Sequence, residues 1–263
     1  APERVGEQQV RIFEDEGIDL NRVYIGHSND TTDFLYLQGL MDKGPKNVDA
    51  FFFLQHDEDA DPSVRGAASK VCRTHVTAFA DTKEQAAKIL KPFSDSVMAQ
   101  SARSKSEGQQ ISFSGLLAPD RVASGISRYA TDNVLTETTP KAVAAVTDHF
   151  AGIHSPESHV LVSLRGSARL PEDAAFSMTA RGYLSYNFEW QDTGDDAIHR
   201  RWMDEAVATM QPFAHGYYIN EMDLVADPAR IQLAFAAPNW KRLQMLRKKY
   251  DPTGVFHNYL GHG

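Results

Sequence analysis

A single cysteine, Cys72, stands in 263 residues, which excludes an internal disulfide and any zinc site built mainly on thiolates. Positive charge is also short: 27 Lys and Arg face 35 Asp and Glu, for a formal net charge of −8. Nucleic acid is therefore not an expected partner, because gripping phosphates needs a basic face. Long apolar runs are missing too. Candidates such as Asp49-Ala50-Phe51-Phe52-Phe53-Leu54 have strand length, against the roughly twenty residues of a membrane helix. No secretory signal is visible, and the chain opens on Ala1 rather than methionine, which reads as a fragment or a processed product. Compartment and oligomeric state stay open. What is present, 42% hydrophobic and 24% charged residues, is ordinary globular composition, enough for a core in one large domain or two small ones.

Taken in order, residues 3–43 pattern as helix, strand, helix. Val10, Phe13 and Ile18 mark an amphipathic helix ending near Gly17, Val23–Ile25 is a short buried strand, and Thr32–Asp42 is a second helix capped by Asn29 or Asp30. This order predicts one unit of a parallel α/β sheet with His27 at the strand end. From Asn47 the texture changes to α+β, with antiparallel strands and helices packed on one face. Strands are predicted at Val48–Gln55, Val71–Phe79, His159–Leu164 and Tyr183–Trp190. Helices are predicted at Lys83–Leu90 (stopped by Pro92), Pro119–Tyr129, Lys141–Ile153 and His199–Gln211. The acidic run 56–62 lacks the spacing of a calcium loop and reads as a solvated turn. The polar stretch Ser94–Gln110 reads as an exposed connection. Cys72, in an alternating run, reads as a core residue and not a nucleophile.

Alternation in Tyr183–Trp190 puts Tyr183, Ser185, Asn187 and Glu189 on one face and Leu184, Tyr186, Phe188 and Trp190 on the other. The second face predicts core. The first, with its phenol, amide and carboxylate, is the candidate substrate side. Further on, Gly216-Tyr217-Tyr218-Ile219-Asn220 patterns as a strand. Trp240–Lys249 then patterns as a helix with Leu243, Leu246 and Tyr250 on one face, stopped by Asp251-Pro252-Thr253-Gly254.

This carboxy-terminal order resembles the berberine-bridge-enzyme-like FAD-linked oxidases. The motifs that carry the resemblance are Tyr218-Ile219-Asn220, Asn239-Trp240-Lys241-Arg242-Leu243, and Tyr250-Asp251-Pro252 with Phe256. Leu90-Lys91-Pro92 and Ala175-Phe176 with Arg181 extend it, although Arg181 lies two residues later than the family pattern. The resemblance implies a flavin-oxidase substrate domain over 46–263 with its carboxy-terminal tail. It also implies a small-molecule substrate whose alcohol, sugar or amine carbon gives a hydride to FAD, with O2 as acceptor. It assigns Tyr218 as base or substrate contact, and Tyr183 and Glu189 as substrate-side residues. Asn220 becomes a flavin or backbone-fixing contact, while Tyr250 and Asp251 set the tail against a cofactor domain. The family's FAD pyrophosphate contacts come from an amino-terminal domain without counterpart in this sequence, so no tight FAD binding, and weak or no activity in isolation, are expected.

Residues 3–43 resemble a different family, the phosphotriesterase-like amidohydrolases. Gly6-Glu7-Gln8-Gln9, Glu16-Gly17 with Arg22-Val23, Ile25-Gly26-His27-Ser28-Asn29-Asp30 and Tyr36-Leu37 carry it. It implies that 1–45 is a helix-strand-helix fragment in which His27 matches a metal ligand. The other ligands of that family have no counterpart here, and a hydrolytic zinc needs at least three protein ligands. His27 is thus expected to be metal-free, and zinc enters only under an alternative reading as a phosphotriester or lactone hydrolase. A covalent flavin link at His27 is not supported by its neighbours, since Ile25 stands where the attachment loop has glycine. A folded but catalytically inactive chain is the third alternative.

Overall fold

The computed structural model describes residues 18–24, 31–44, 46–61, 63–100, 102–110, 128–165 and 174–256. Among the described residues seven strands form a single sheet in the order β4-β1-β3-β2-β6-β7-β5. They are β1 (Ile18–Tyr24), β2 (Val48–His56), β3 (Lys70–Ala78), β4 (Ser104–Gln110), β5 (Arg128–Thr136), β6 (His159–Leu164) and β7 (Gly182–Trp190). Every neighbouring pair is antiparallel.

Register sorts the side chains. Phe53 lies opposite Leu161, Leu161 opposite Ser185, and Ser185 opposite Asn133, so these four point to one face. One residue along, Phe52, Val162, Leu184 and Val134 point to the other. That second face carries the core, and all four are at most 1% exposed. Onto it pack α1 (Thr31–Lys43) with Leu37 and Met41, α2 (Lys83–Ser94) with Leu90 and Phe93, α4 (Thr139–Ala151) with Val146 and Phe150, and α5 (Asp196–Met210) with Trp202 and Met203. A short turn of helix, α3 (Val97–Gln100), follows α2, and α6 (Ala237–Tyr250) lies near the carboxy terminus. The α+β architecture with helices on one face is as the sequence implied. The apolar half of β7 is core as its alternation required, with Tyr186 and Phe188 fully buried.

Several expectations are corrected. The strand expected to begin a parallel unit is β1, which pairs antiparallel with both β3 and β4. The helix expected before it, and His27 itself, lie outside the described residues. Ser94–Gln110 is not a plain connection, since its second half is the edge strand β4, made of polar residues that are mostly exposed where described. Tyr129 belongs to β5 and not to a helix, while 119–127 lie outside the described residues. The strand period of β5 is masked by its polar half, Tyr129–Asn133, before the apolar pair Val134-Leu135. Pro92 sits inside the last turn of α2 instead of ending it. Burial of Phe93 against the core holds that turn. Cys72 is 2% exposed, and burial pushes its thiol up to about 12, as suits a core residue.

Candidate functional site

The face of the sheet opposite α1, α2, α4 and α5, helix-free among the described residues, is half-buried rather than sealed: Phe51, Phe53, His75, His159 and Leu161 are partly exposed on it. Toward the β7-β5 side it turns polar and aromatic. The Tyr129 hydroxyl donates to Asn187 Oδ1 at 2.5 Å, while Thr131 Oγ1 donates to Tyr186 O at 2.9 Å and stands 3.2 Å from Asn187 Oδ1. Asn187 Nδ2 in turn donates to Ser185 Oγ at 3.1 Å. These bonds fix the rotamers of a row of groups that can each recognise a polar ligand.

At the end of that row the segment 215–222 crosses the edge of β5. Its one strand-like contact is a bridge between Gly216 and Leu135, where Leu135 N–H donates to Gly216 O at 2.8 Å. Gly216 lets Met178 pack closely there, since an added Cβ would stand 2.4 Å from Met178 Cε and the methionine end would have to swing aside. The expected strand 216–220 goes no further. Asn133 replaces the ladder: its Oδ1 accepts from Tyr218 N–H at 2.7 Å and its Nδ2 donates to Tyr218 O at 2.9 Å. Both main-chain groups of Tyr218 are thus satisfied by one side chain, and the backbone can turn into the 3₁₀ turn Ile219–Glu221.

That turn brings three groups together. Tyr183, from β7, donates a short hydrogen bond to Glu221 Oε2. The rings of Tyr183 and Tyr218 meet edge to face with centroids 6.2 Å apart, and Phe176 meets Tyr218 the same way at 5.8 Å. Asn220 Nδ2 donates to the Tyr218 hydroxyl at 2.8 Å, and the Arg165 guanidinium lies over the Tyr183 ring, 5.5 Å from its centroid. Burial, then the hydrogen bond and the charge of Glu221, push the Tyr183 phenol far above its ordinary value of 10.0, so it remains a proton donor at all working pH values. The Tyr129 phenol is raised as well, chiefly by burial.

Of the residues singled out in the sequence, Tyr183, Tyr218 and Asn220 therefore converge. Glu189 shares their sheet face but sits six residues along β7 from Tyr183, where its carboxylate lies 3.9 Å from the His159 imidazole. Burial, with Glu157 nearby, raises its carboxyl pKa. Tyr250 is 69% exposed, and Asp251 accepts from the backbone N–H groups of Val255 and Phe256 at 2.7 and 3.0 Å, which closes the turn after α6. Neither reaches the tyrosine pair. Arg181 pairs with Asp42 of α1, away from this cluster. Glu221 escaped the sequence reading because it follows the Tyr-x-Asn motif without belonging to it. The signal that could have found it is its position beside that motif, at a turn.

A cavity of about 420 Å³ lies next to the segment, lined by Met178, Gly216, Tyr217, Phe235 and Trp240 among others, but Tyr183, Tyr218 and Glu221 do not line it. Among the described residues no group of three or more His, Cys, Asp or Glu side chains could hold a metal ion, so zinc finds no support.

Residues 217–261 match the family model "Berberine and berberine like", and residues 1–54 match that of the phosphotriesterase family. Solved structures agree with the first over nearly the whole chain. Aclacinomycin oxidoreductase superposes with a TM-score of 0.72 at 14% identity, covering 93% of this chain and 55% of that one. The fold is that of the berberine-bridge-like flavoenzymes. GilR, an oxidoreductase that catalyses the terminal step of gilvocarcin biosynthesis, superposes at 0.70 with 19% identity over 93% of this chain and 56% of its own. BBE-like 1 of Physcomitrella patens gives 0.68 at 14% identity over 95% and 55%. The chain thus spans about half the length of these flavoenzymes. A phosphotriesterase homology protein of Mycobacterium tuberculosis is 54% identical over 41 residues, 16% of this chain and 13% of that protein. The described part of that hydrolase-like stretch supplies β1 and most of β2, both strands of the oxidase-like sheet, and α1, which packs on it.

Proposed function

We propose that this chain is the substrate-binding part of an FAD-dependent oxidoreductase of the berberine-bridge-like class, acting on a small molecule. The observation that carries this reading is the helix-free face, where a phenol–carboxylate pair, a second tyrosine and an amide row meet at the end of an oxidase-like sheet. Its donor set fits the ring end of a flavin: partly exposed aromatic rings for a planar face, with amide and hydroxyl groups for its polar edge. When bound, FAD supplies the two-electron oxidising power that no protein side chain has. Tyr218, whose hydroxyl already receives Asn220 and whose backbone is clamped by Asn133, serves as a substrate contact. Asn220, exposed beside it, is the candidate flavin contact. Glu189 serves the far end of the substrate face, and Tyr250 and Asp251 act in docking rather than chemistry.

The test is an absorption spectrum of the purified chain after incubation with FAD and gel filtration. Quenching of FAD fluorescence at high protein concentration is the expected result, with the flavin bands near ~370 and ~450 nm, which belong to the oxidised cofactor itself, only weakly retained through gel filtration. A colourless protein, with no quenching of FAD fluorescence at high protein concentration, overturns the reading.

A further inference from the structure

We propose that the cavity between segment 211–217 and the start of α6 is a second small-molecule site, built for an uncharged aromatic compound with a hydroxyl or carbonyl group at its edge. This site needs no flavin, so it stands or falls apart from the oxidoreductase reading.

Its walls are fixed before any ligand arrives. On one side Gly216 is bridged to Leu135 at the sheet edge, and the 3₁₀ turn Gln211–Phe213 leads from α5 toward that bridge. On the other, Ala236 N–H donates to Ser177 Oγ at 2.9 Å and Asn239 Nδ2 donates to Ala174 O at 2.8 Å. Those two bonds tie down the first turn of α6. The Phe235 and Trp240 rings flank that turn, 5.3 Å apart and tilted by 33°, and both are only half-buried. Both line the cavity, whose volume of about 420 Å³ falls within the range of small-molecule pockets, roughly 300–1,000 Å³.

The chemistry of the lining sets the ligand class. Phe235, Trp240 and Tyr217 supply aromatic surface, and contact with another ring stabilises by more than the area it buries. Gln211, His215 and Gln232 are the polar side chains of the lining. All three are exposed, and among the described residues their side chains have no hydrogen-bond partner. They can therefore bond a hydroxyl or carbonyl of a ligand without breaking a bond of the fold. No Asp, Glu, Lys or Arg lines the cavity. A charged ligand would lose water there and gain no counter-charge, which favours a neutral one. A sugar is disfavoured as well, because its hydroxyls outnumber the three polar side chains and would be left unpaired against the rings.

The tryptophans make the test direct. Trp190 and Trp202 are buried in the core, and of the three only Trp240 lines the cavity. In chain labelled with fluorotryptophan, the Trp240 fluorine resonance (assigned by its loss in Trp240→Phe) should shift saturably with 2-naphthol, while those of Trp190 and Trp202 stay put. The carboxylate 2-naphthoate should bind on the order of tenfold more weakly, and glucose should not move the resonance. Ala237 lines the cavity and is exposed, so Ala237→Phe should abolish the shift and leave the urea midpoint unchanged. Replacing Gln211, His215 and Gln232 together with alanine should weaken 2-naphthol about fivefold. No saturable Trp240 shift up to millimolar 2-naphthol overturns the proposal. A shift that persists in Ala237→Phe or is undiminished in the triple variant places the ligand elsewhere and overturns it too. So does naphthoate or glucose binding as tightly as 2-naphthol. None of these outcomes bears on FAD binding, which is measured separately.

Discussion

His56 ends β2 directly opposite Lys70, the first residue of β3. Lys70 is 7% exposed, donates to Ile153 O at 2.6 Å and lies over the Phe150 ring. Burial lowers its ammonium to about 8. Burial of the imidazole, with Lys70 and His154 adding positive charge, likewise holds His56 down to about 4 from its ordinary 6.5. Above pH 6.5 the ring is neutral in both folded and unfolded chains and contributes nothing. As the pH falls from 6.5 to 4, the unfolded chain binds a proton that the fold resists, so stability is lost across that window. His56→Gln should therefore flatten the fall in urea midpoint between pH 6.5 and 4. An unchanged slope would show that His56 is not the group responsible. Other histidines shifted the same way, His149 and His159, leave a residual slope.

At the scale of elements, what holds the turn-bearing segment to the sheet is a buried pair rather than a ladder. Asp132 of β5, 1% exposed at its side chain, takes both guanidinium nitrogens of Arg230 at 2.6 and 2.8 Å and accepts from Asp223 N–H at 3.3 Å. Arg230 also lies over the Tyr217 ring, 4.7 Å from its centroid. The carboxylate thus ties residues 217–230 to the edge strand on the helix side, while Asn133 ties Tyr218 on the other. Arg230→Met strands a desolvated carboxylate and should cost about 3 kcal/mol in urea unfolding followed by tryptophan fluorescence. Pairing it with Asp132→Leu should recover most of that loss, because two apolar groups need no mutual charge. A single variant as stable as wild type would show that water reaches Asp132. Neither contact was legible in the sequence. Asp132 and Arg230 are 98 positions apart, and only the fold sets them face to face.

For the molecule as a whole, the feature that stands out is the unburied amphipathic helix. α6 has no buried residue: Leu246 is 40% exposed, Met245 58% and Tyr250 69%, and Val255 and Phe256 beyond it are exposed as well. The helix read from the sequence period is present, but its apolar stripe stays exposed, since burying it needs an opposing surface that the described residues do not supply. Leu246→Glu should leave the urea midpoint within about 0.5 kcal/mol of wild type while lowering binding of an apolar dye such as ANS. A large loss of stability would place the helix face against a surface after all.

Some properties follow from local pattern alone. The alternation of β7 dictated which half of the strand is core, because side chains alternate across a sheet whatever their partners are. Thr82 before Lys83 and Pro140 at the head of α4 marked helix starts, since capping and a missing N–H act within one turn. The three carboxy-terminal motifs pointed to an oxidase-like fold. Tertiary structure alone decided the rest. The antiparallel place of β1 and the edge strands β4 and β5 depend on neighbours distant in the chain, and polar edges carry little period of their own. The Tyr183–Glu221 pair joins residues 38 apart, on a strand and on a turn. A carboxylate becomes a partner for a phenol only when the backbone delivers it there, and here that delivery depends on the Asn133 side chain ending a strand that local pattern would have continued.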